Sequence, residues 1–208
     1  MLPPLYLIAD RATCGERALE AVLKEALEGG VRLVQLREKE MGRDDLLRQA
    51  EVVRAMTASA GALFLVNSDV EVAFSVGADG VHLPSSRISR AGNVKAKLPK
   101  GVVGASVHNV DEVEAAERAG VDFVAFAPVY TPGSKAYTGA LAGISGLEVA
   151  VGATKLPVYA LGGITPGRVA ECLEAGAAGV AAMSGILRAE DVKRAAEEYV
   201  REWEGKQR

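Results

Sequence analysis

A glycine that closes a helical stretch and leads at once into a short apolar run recurs four times along this chain. The copies are Gly30-Val31-Arg32-Leu33-Val34, Gly77-Ala78-Asp79-Gly80-Val81, Gly120-Val121-Asp122-Phe123-Val124 and Gly176-Ala177-Ala178-Gly179-Val180. Their starts lie roughly 45 to 55 residues apart, the length of two strand-helix units. Four such pairs predict eight strands, and the apolar runs fall at 5–10, 32–37, 63–67, 80–83, 102–107, 123–129, 158–162 and 179–183. Helical patterns fill the intervals. In the first, Leu19, Val22, Leu23, Ala26 and Leu27 recur at three- and four-residue spacing, with Glu16, Glu20, Lys24 and Glu28 on the other face. Thr165 as N-cap, Pro166 at the first helical position and Gly176 past the end punctuate a later helix. Asn109 and Glu112 have the spacing of a capping box. Strand, helix and strand in repeated order require parallel crossovers, so the fold class is α/β. The eightfold count favours a single (β/α)8 TIM barrel spanning 1–208 over an open doubly wound sheet. At about 26 residues per unit it is a compact one.

Composition narrows the function. Hydrophobic residues make up 49% and charged residues 25% of the chain, the balance of a folded globular protein. A net charge of −3 leaves no basic surplus for a nucleic-acid backbone, although a single phosphorylated ligand is compatible with it. Charged residues interrupt every apolar stretch before about 18 residues, which argues against membrane insertion. The two cysteines, Cys14 and Cys172, form no disulfide framework and no zinc spacing, and no export signal is legible, so the expected location is cytoplasmic. No metal site is expected from these residues.

In a TIM barrel the reactive side chains sit at the C-terminal ends of the strands and in the loops that follow. Gln35, Arg37 and Lys39 alternate at the end of the second strand, where the two cations suit an anionic substrate. The competing reading is a surface ion-pair cluster with Glu38 and Glu40. Asn67 ends the third strand and has the groups to bind a heterocycle, while Asp69 reads as a helix cap. Gly162-Gly163 and Met183-Ser184-Gly185 end the last two strands, where small residues let main-chain N–H groups approach a phosphate. Glycines also occur simply because tight turns need them. The loop 128–139 is long and carries Lys135, either a ligand-closing cation or a solvated lysine. His108 follows Ser106 at two-residue spacing and faces the mouth as an acid/base if the strand stays extended; a local cap is the alternative. His82 lies within a strand and reads as structural, and Cys172 reads as core.

The ordered set Gln35-Leu36-Arg37-Glu38-Lys39, Asn67, Ala78-Asp79-Gly80-Val81-His82-Leu83, Gly104 to Ser106, Ser134-Lys135, Gly162-Gly163-Ile164-Thr165-Pro166 and Ser184-Gly185-Ile186 resembles the thiamin phosphate synthase and TenI superfamily of TIM barrels. The resemblance implies that Gln35, Arg37, Lys39, Asn67, Ser106 and Lys135 hold a pyrimidine diphosphate. It likewise implies that Ser134, Gly162, Gly163, Met183 and Ser184 surround a thiazole phosphate. Where the synthase pattern has two magnesium carboxylates, this chain has Ser68 and Arg87. Leu83-Pro84-Ser85 resembles the TenI branch, whose activity is a metal-free thiazole tautomerisation, yet Pro128 stands where that branch has its histidine. The leading expectation is a TenI-like protein of thiamin biosynthesis that binds a thiazole phosphate and isomerises it without a cofactor. His108 is then the first acid/base candidate, with Lys39 and Glu38 behind it. The alternatives are a thiamin phosphate synthase using magnesium, with synthesis weakened by Ser68 and Arg87, and a non-catalytic phosphate-binding barrel. The expected partner is a small phosphorylated heterocycle; whether the chain forms a homo-oligomer is left open.

Overall fold

The computed structural model describes residues 2–132 and 139–205. Eight parallel strands, β1 (Leu5–Ala9), β2 (Leu33–Leu36), β3 (Leu63–Asn67), β4 (Gly80–Leu83), β5 (Val102–Val107), β6 (Phe123–Phe126), β7 (Val158–Leu161) and β8 (Gly179–Ala182), pair in chain order. Leu5 of β1 pairs with Val180 of β8, so the sheet closes into the expected barrel and the open sheet is excluded. The surrounding helices are α1 (Leu19–Glu28), α2 (Arg43–Ser59), α3 (Val70–Ser75), α4 (Ala91–Lys97), α5 (Val110–Ala119), α6 (Gly143–Gly152), α7 (Pro166–Glu174), α8 (Ser184–Leu187) and α9 (Val192–Gly205). Among the described residues no helix is long and apolar enough to cross a membrane.

Two expectations need correction in detail. The sixth strand ends at Phe126, three residues short of the sequence estimate, because Pro128 has no N–H to continue the ladder. At α5, Asn109 caps the Glu112 N–H at 2.9 Å, but the Glu112 carboxylate returns to the His108 N–H rather than to that of Asn109. The box is shifted by one residue.

Strand alternation divides the apolar side chains between two cores. Outward residues such as Leu7, Val34, Leu36, Val66 and Val124 pack under the helices, whereas Tyr6, Ile8, Leu33, Leu65, Phe123, Tyr159 and Ala181 fill the barrel. Inside, Tyr6, Phe123 and Tyr159 meet edge to face at centroid distances of 5.3–6.1 Å, the arrangement favoured by ring quadrupoles. The floor is closed by the N-terminal segment, whose Pro3 carbonyl accepts from the Tyr159 hydroxyl at 2.8 Å.

The fourfold repeat has a physical basis. Each repeat glycine adopts a positive φ of 63–97°, which lets the chain reverse directly from helix to strand. Two residues on, the Asp79 N–H donates to the Phe64 carbonyl, and the Asp79 carboxylate accepts from the Phe64 N–H at 2.8 Å and from Arg54 at 2.7 Å. Asp122 repeats the device with Val103 and Lys95, each 2.8 Å from its carboxylate. Ala178 keeps only the main-chain half, donating to the Val158 carbonyl. Replacing Asp79 by Ala strands the N–H of the buried Phe64 and should cost about 1–3 kcal/mol in urea unfolding. Asp79→Asn keeps an acceptor and should lose less; equal losses would contradict this role.

Candidate active site

At the mouth of the barrel, several candidates from different strands are joined by hydrogen bonds through two residues that sequence reading did not connect. Asn67 Nδ2 donates to Gln35 Oε1 at 2.8 Å, and Gln35 Nε2 donates to the Tyr6 hydroxyl at 2.7 Å. The Tyr6 hydroxyl lies 3.1 Å from His82 Nδ1, and His82 Nε2 lies 2.9 Å from Ser106 Oγ. Gln35 and His82 are only 1% and 2% exposed, so these contacts satisfy polar groups cut off from water. Gly104, on the strand carrying Ser106, leaves room for the ring: an added Cβ would sit 2.7 Å from His82 Nδ1 and 2.3 Å from Phe123 Cζ. Burial, helped by the positive charge of Arg37, lowers the His82 pKa to about 3, and burial holds the Tyr6 phenol well above its ordinary value. Both are neutral at physiological pH. The structural reading of His82 therefore agrees with its burial, yet the same residue links two candidate ligands.

Around this chain sit the charged groups. Arg37 is held 3.2 Å from Asp10, which also caps the turn Arg11–Cys14 through the Thr13 N–H. The Glu38 carboxylate accepts from the Arg11 N–H at 2.8 Å, tying the β1 and β2 loops together, and burial raises its pKa. Lys39 is exposed. His108 lies one residue past the end of β5, its imidazole 54% exposed and its Nδ1 3.7 Å from Glu112. It does not share the hydrogen-bonded chain of Ser106. Ser68 adopts a φ of 64°, the one positive value for a non-glycine among the described residues, and its hydroxyl donates to Asn67 Oδ1. Asp69 is a helix cap as expected, accepting from the Val72 N–H, and pairs with Arg43. Arg87 is exposed on the turn Ser85–Arg90. Among the described residues no three carboxylate, histidine or cysteine side chains gather as a metal-binding group. With Asp69 engaged and Ser68 and Arg87 at the other positions, this donor set does not fit a magnesium ion held by a protein carboxylate pair.

The loops after β6, β7 and β8 are braced against one another. Gly162 and Gly163 have φ values of 96° and 63°, and added Cβ atoms would fall 2.8 Å from Pro128 and 2.4 Å from the Thr131 carbonyl oxygen. Close packing of the β6 loop is thus one reason for these glycines. Arg168, on the first turn of α7, donates to the Gly163 carbonyl at 2.6 Å and stacks 4.2 Å over the Tyr130 ring, whose hydroxyl bonds Glu171. Below, Tyr199 of α9 donates to the Ile164 carbonyl at 2.7 Å, and its hydroxyl abuts the position where a Gly185 side chain would begin. Met183 packs partly into the barrel, and Ser184 and Gly185 open α8, where the first N–H groups of a helix have no intrahelical acceptor. Ser134 and Lys135 lie outside the described residues. Tyr6, Asp10, Arg168 and Tyr199 were missed from sequence. Only Tyr6 left a signal, by alternating with Ile8 on the first strand.

TIM barrels place their active sites at this mouth and frequently carry a phosphate site formed by the loops after strands seven and eight. Comparison with known proteins makes the assignment specific. A family model described as thiamine monophosphate synthase matches residues 5–186. A putative thiamine-phosphate synthase of Geobacter sulfurreducens is 44% identical over 184 residues, covering 88% of this chain and 86% of its own length. The thiamine-phosphate synthase of Bacillus velezensis is 38% identical over 206 residues, covering 97% and 91%. Among solved structures, the thiamine phosphate pyrophosphorylase from Pyrococcus furiosus matches with a TM-score of 0.85 at 33% identity, covering 97% of this chain and 96% of that one. The chain belongs to the thiamine monophosphate synthase family, a family of thiamine biosynthesis. These relatives carry the synthase name, which backs the alternative over the leading expectation; none specifically favours the TenI-like branch.

The buried histidine gives a pH signature. His82 is neutral in the folded chain down to about pH 3 but protonates near 6.5 when unfolded, so the unfolded state binds the extra proton between these values. This contribution to stability is complete above about pH 6.5 and is lost as pH falls toward 3. Urea titrations across that window should show a flatter slope in His82→Asn than in the unaltered chain; identical slopes would contradict the burial argument.

Proposed function

We propose that this chain is a thiamine-phosphate synthase, acting in the cytoplasm to join a hydroxymethylpyrimidine diphosphate to a thiazole phosphate. The observation that carries the reading is the convergence of Gln35, Asn67 and Ser106, from three strands, on one hydrogen-bonded chain, with Arg37 two residues beyond Gln35 past the end of β2. In the coupling, the bond from the pyrimidine methylene carbon to the diphosphate oxygen breaks with its electron pair leaving on the diphosphate, and the lone pair of the thiazole ring nitrogen forms the new bond to that carbon, leaving a thiazolium. What such a step demands of the protein is stabilisation of developing negative charge rather than a strong base. Arg37, pre-aligned by Asp10, and Lys39 bring positive charge to that oxygen, with Lys135 as a third cation. Gln35 and Asn67 hold the heterocycle, Ser106 contacts the diphosphate, and Ser134 with the Gly163, Ser184 and Gly185 segments takes the thiazole phosphate. Magnesium accompanies diphosphate in the related pattern, but Ser68 and Arg87 do not supply its carboxylates, so the charge is assigned to these side chains.

A tautomerase needs a poised acid/base instead, and the three candidates are poorly placed for it. His108 is exposed outside the hydrogen-bonded chain, Glu38 is bonded to the Arg11 N–H and Lys39 is exposed. The missing magnesium carboxylates and the Leu83-Pro84-Ser85 segment favour the TenI-like reading, and the same assay separates the two. Purified protein given both substrates should release diphosphate and form thiamine phosphate in equal amounts, and Arg37→Ala should lower kcat/KM roughly 10- to 100-fold, the loss of a charged hydrogen bond. Isomerisation of a thiazole carboxylate phosphate without coupling would establish the TenI-like reading instead, and binding without turnover the non-catalytic one.

A further inference from the structure

Five hydrogen bonds join Ser68, Asn67, Gln35, Tyr6, His82 and Ser106 into one chain that crosses the barrel. Each member constrains the proton of the next. The Tyr6 hydroxyl accepts from Gln35 Nε2, so its own hydrogen goes to His82 Nδ1. A neutral imidazole has one donor and one acceptor nitrogen, so the ring hydrogen sits on Nε2 and points at Ser106 Oγ. Having accepted that hydrogen, Ser106 has its own O–H free for another acceptor. Ser106 is half-buried at the C-terminal end of β5, where the barrel opens.

The opposite alignment also satisfies every bond. Turning both side-chain amides reverses each donor, and Ser106 then spends its hydrogen on His82 and offers only lone pairs to the mouth. The two alignments make opposite demands on a ligand, and Arg37, two residues beyond Gln35 at the mouth end of β2, decides between them. A cation held at the mouth selects an anionic partner, and an anion is repelled by lone pairs and attracted by an O–H. We infer that Tyr6 and His82 are positioning residues that fix Ser106 as a hydrogen-bond donor to an anionic oxygen bound at the barrel mouth. This deepens the synthase reading, on which it rests only for the identity of the anion as a substrate diphosphate. Room for the ring at Gly104 and its tilted contact with Phe123, 5.9 Å between centroids, hold the imidazole in place for this task.

Two measurements on the full chain test the inference without requiring turnover. Long-range nitrogen-proton correlation on protein labelled at histidine nitrogen, with His82 assigned by comparison with His108→Asn, should show the Nε2–H tautomer at neutral pH. The Nδ1–H tautomer or a protonated ring would overturn the inference. Calorimetric titration with inorganic diphosphate then tests the coupling. Tyr6→Phe should weaken binding roughly tenfold in the unaltered background and have no further effect in Ser106→Ala, because its influence passes through that hydroxyl. A tenfold loss in both backgrounds would mark a merely structural role and overturn it. If Tyr6→Phe fails to fold, the tautomer of the unaltered chain still decides. Diphosphate binding with the expected tautomer but no coupled product would refute the synthase reading while leaving the donor assignment standing.

Discussion

Closing eight parallel strands sends every second side chain into an interior that water does not enter, and any polar group placed there has to find its partner from the same set. That constraint organises the upper half of this barrel. Gln35, His82 and the hydroxyl of Tyr6 are buried on strands that are not all neighbours, and the Tyr6 hydroxyl bridges the gap between β2 and β4 by reaching across the lumen. Among the described residues no buried side-chain nitrogen or oxygen lacks a hydrogen bond. Beneath this polar layer the rings of Tyr6, Phe123 and Tyr159 fill the lumen, so the network rests on a packed aromatic floor. A half-satisfied network in the same place would cost more than an apolar one, which makes each member sensitive to loss of the next.

The other side of the mouth is braced in a different way. There the β6, β7 and β8 loops are held by main-chain contacts that exclude side chains at Gly162 and Gly163, by Arg168 between Tyr130 and the Gly163 carbonyl, and by Tyr199 from the last helix. Main-chain N–H groups fixed this way can bind a phosphate without first paying to order a loop. The two halves thus suit two anions. On the proposed synthase reading, one is met by the charged side chains just past β2, the other by the backbone after β7 and β8.

Much of this was legible in the sequence because the physical causes are local. The repeat glycines, the strand runs and the Thr165-Pro166 helix start each follow from the conformational preferences of adjacent residues. Barrel chemistry then pointed to the strand ends, where Gln35, Asn67, Ser106 and Arg37 indeed lie. The network itself was not legible. Tyr6 and His82 are 76 positions apart, and Tyr199 reaches Ile164 across 35, and no local pattern announces such pairs. His108 shows the reverse case. Two-residue alternation placed it in line with Ser106, but the strand stops at Val107 and the following cap sets it beside Glu112.

The most direct test of the account is a crystal structure of this chain with inorganic diphosphate and a thiazole phosphate bound together. The diphosphate should lie within hydrogen-bond distance of the Arg37 guanidinium and Ser106 Oγ, and the thiazole phosphate against the main-chain N–H groups of Gly163, Ser184 and Gly185. Density for either anion away from these groups would contradict the assignment of the mouth.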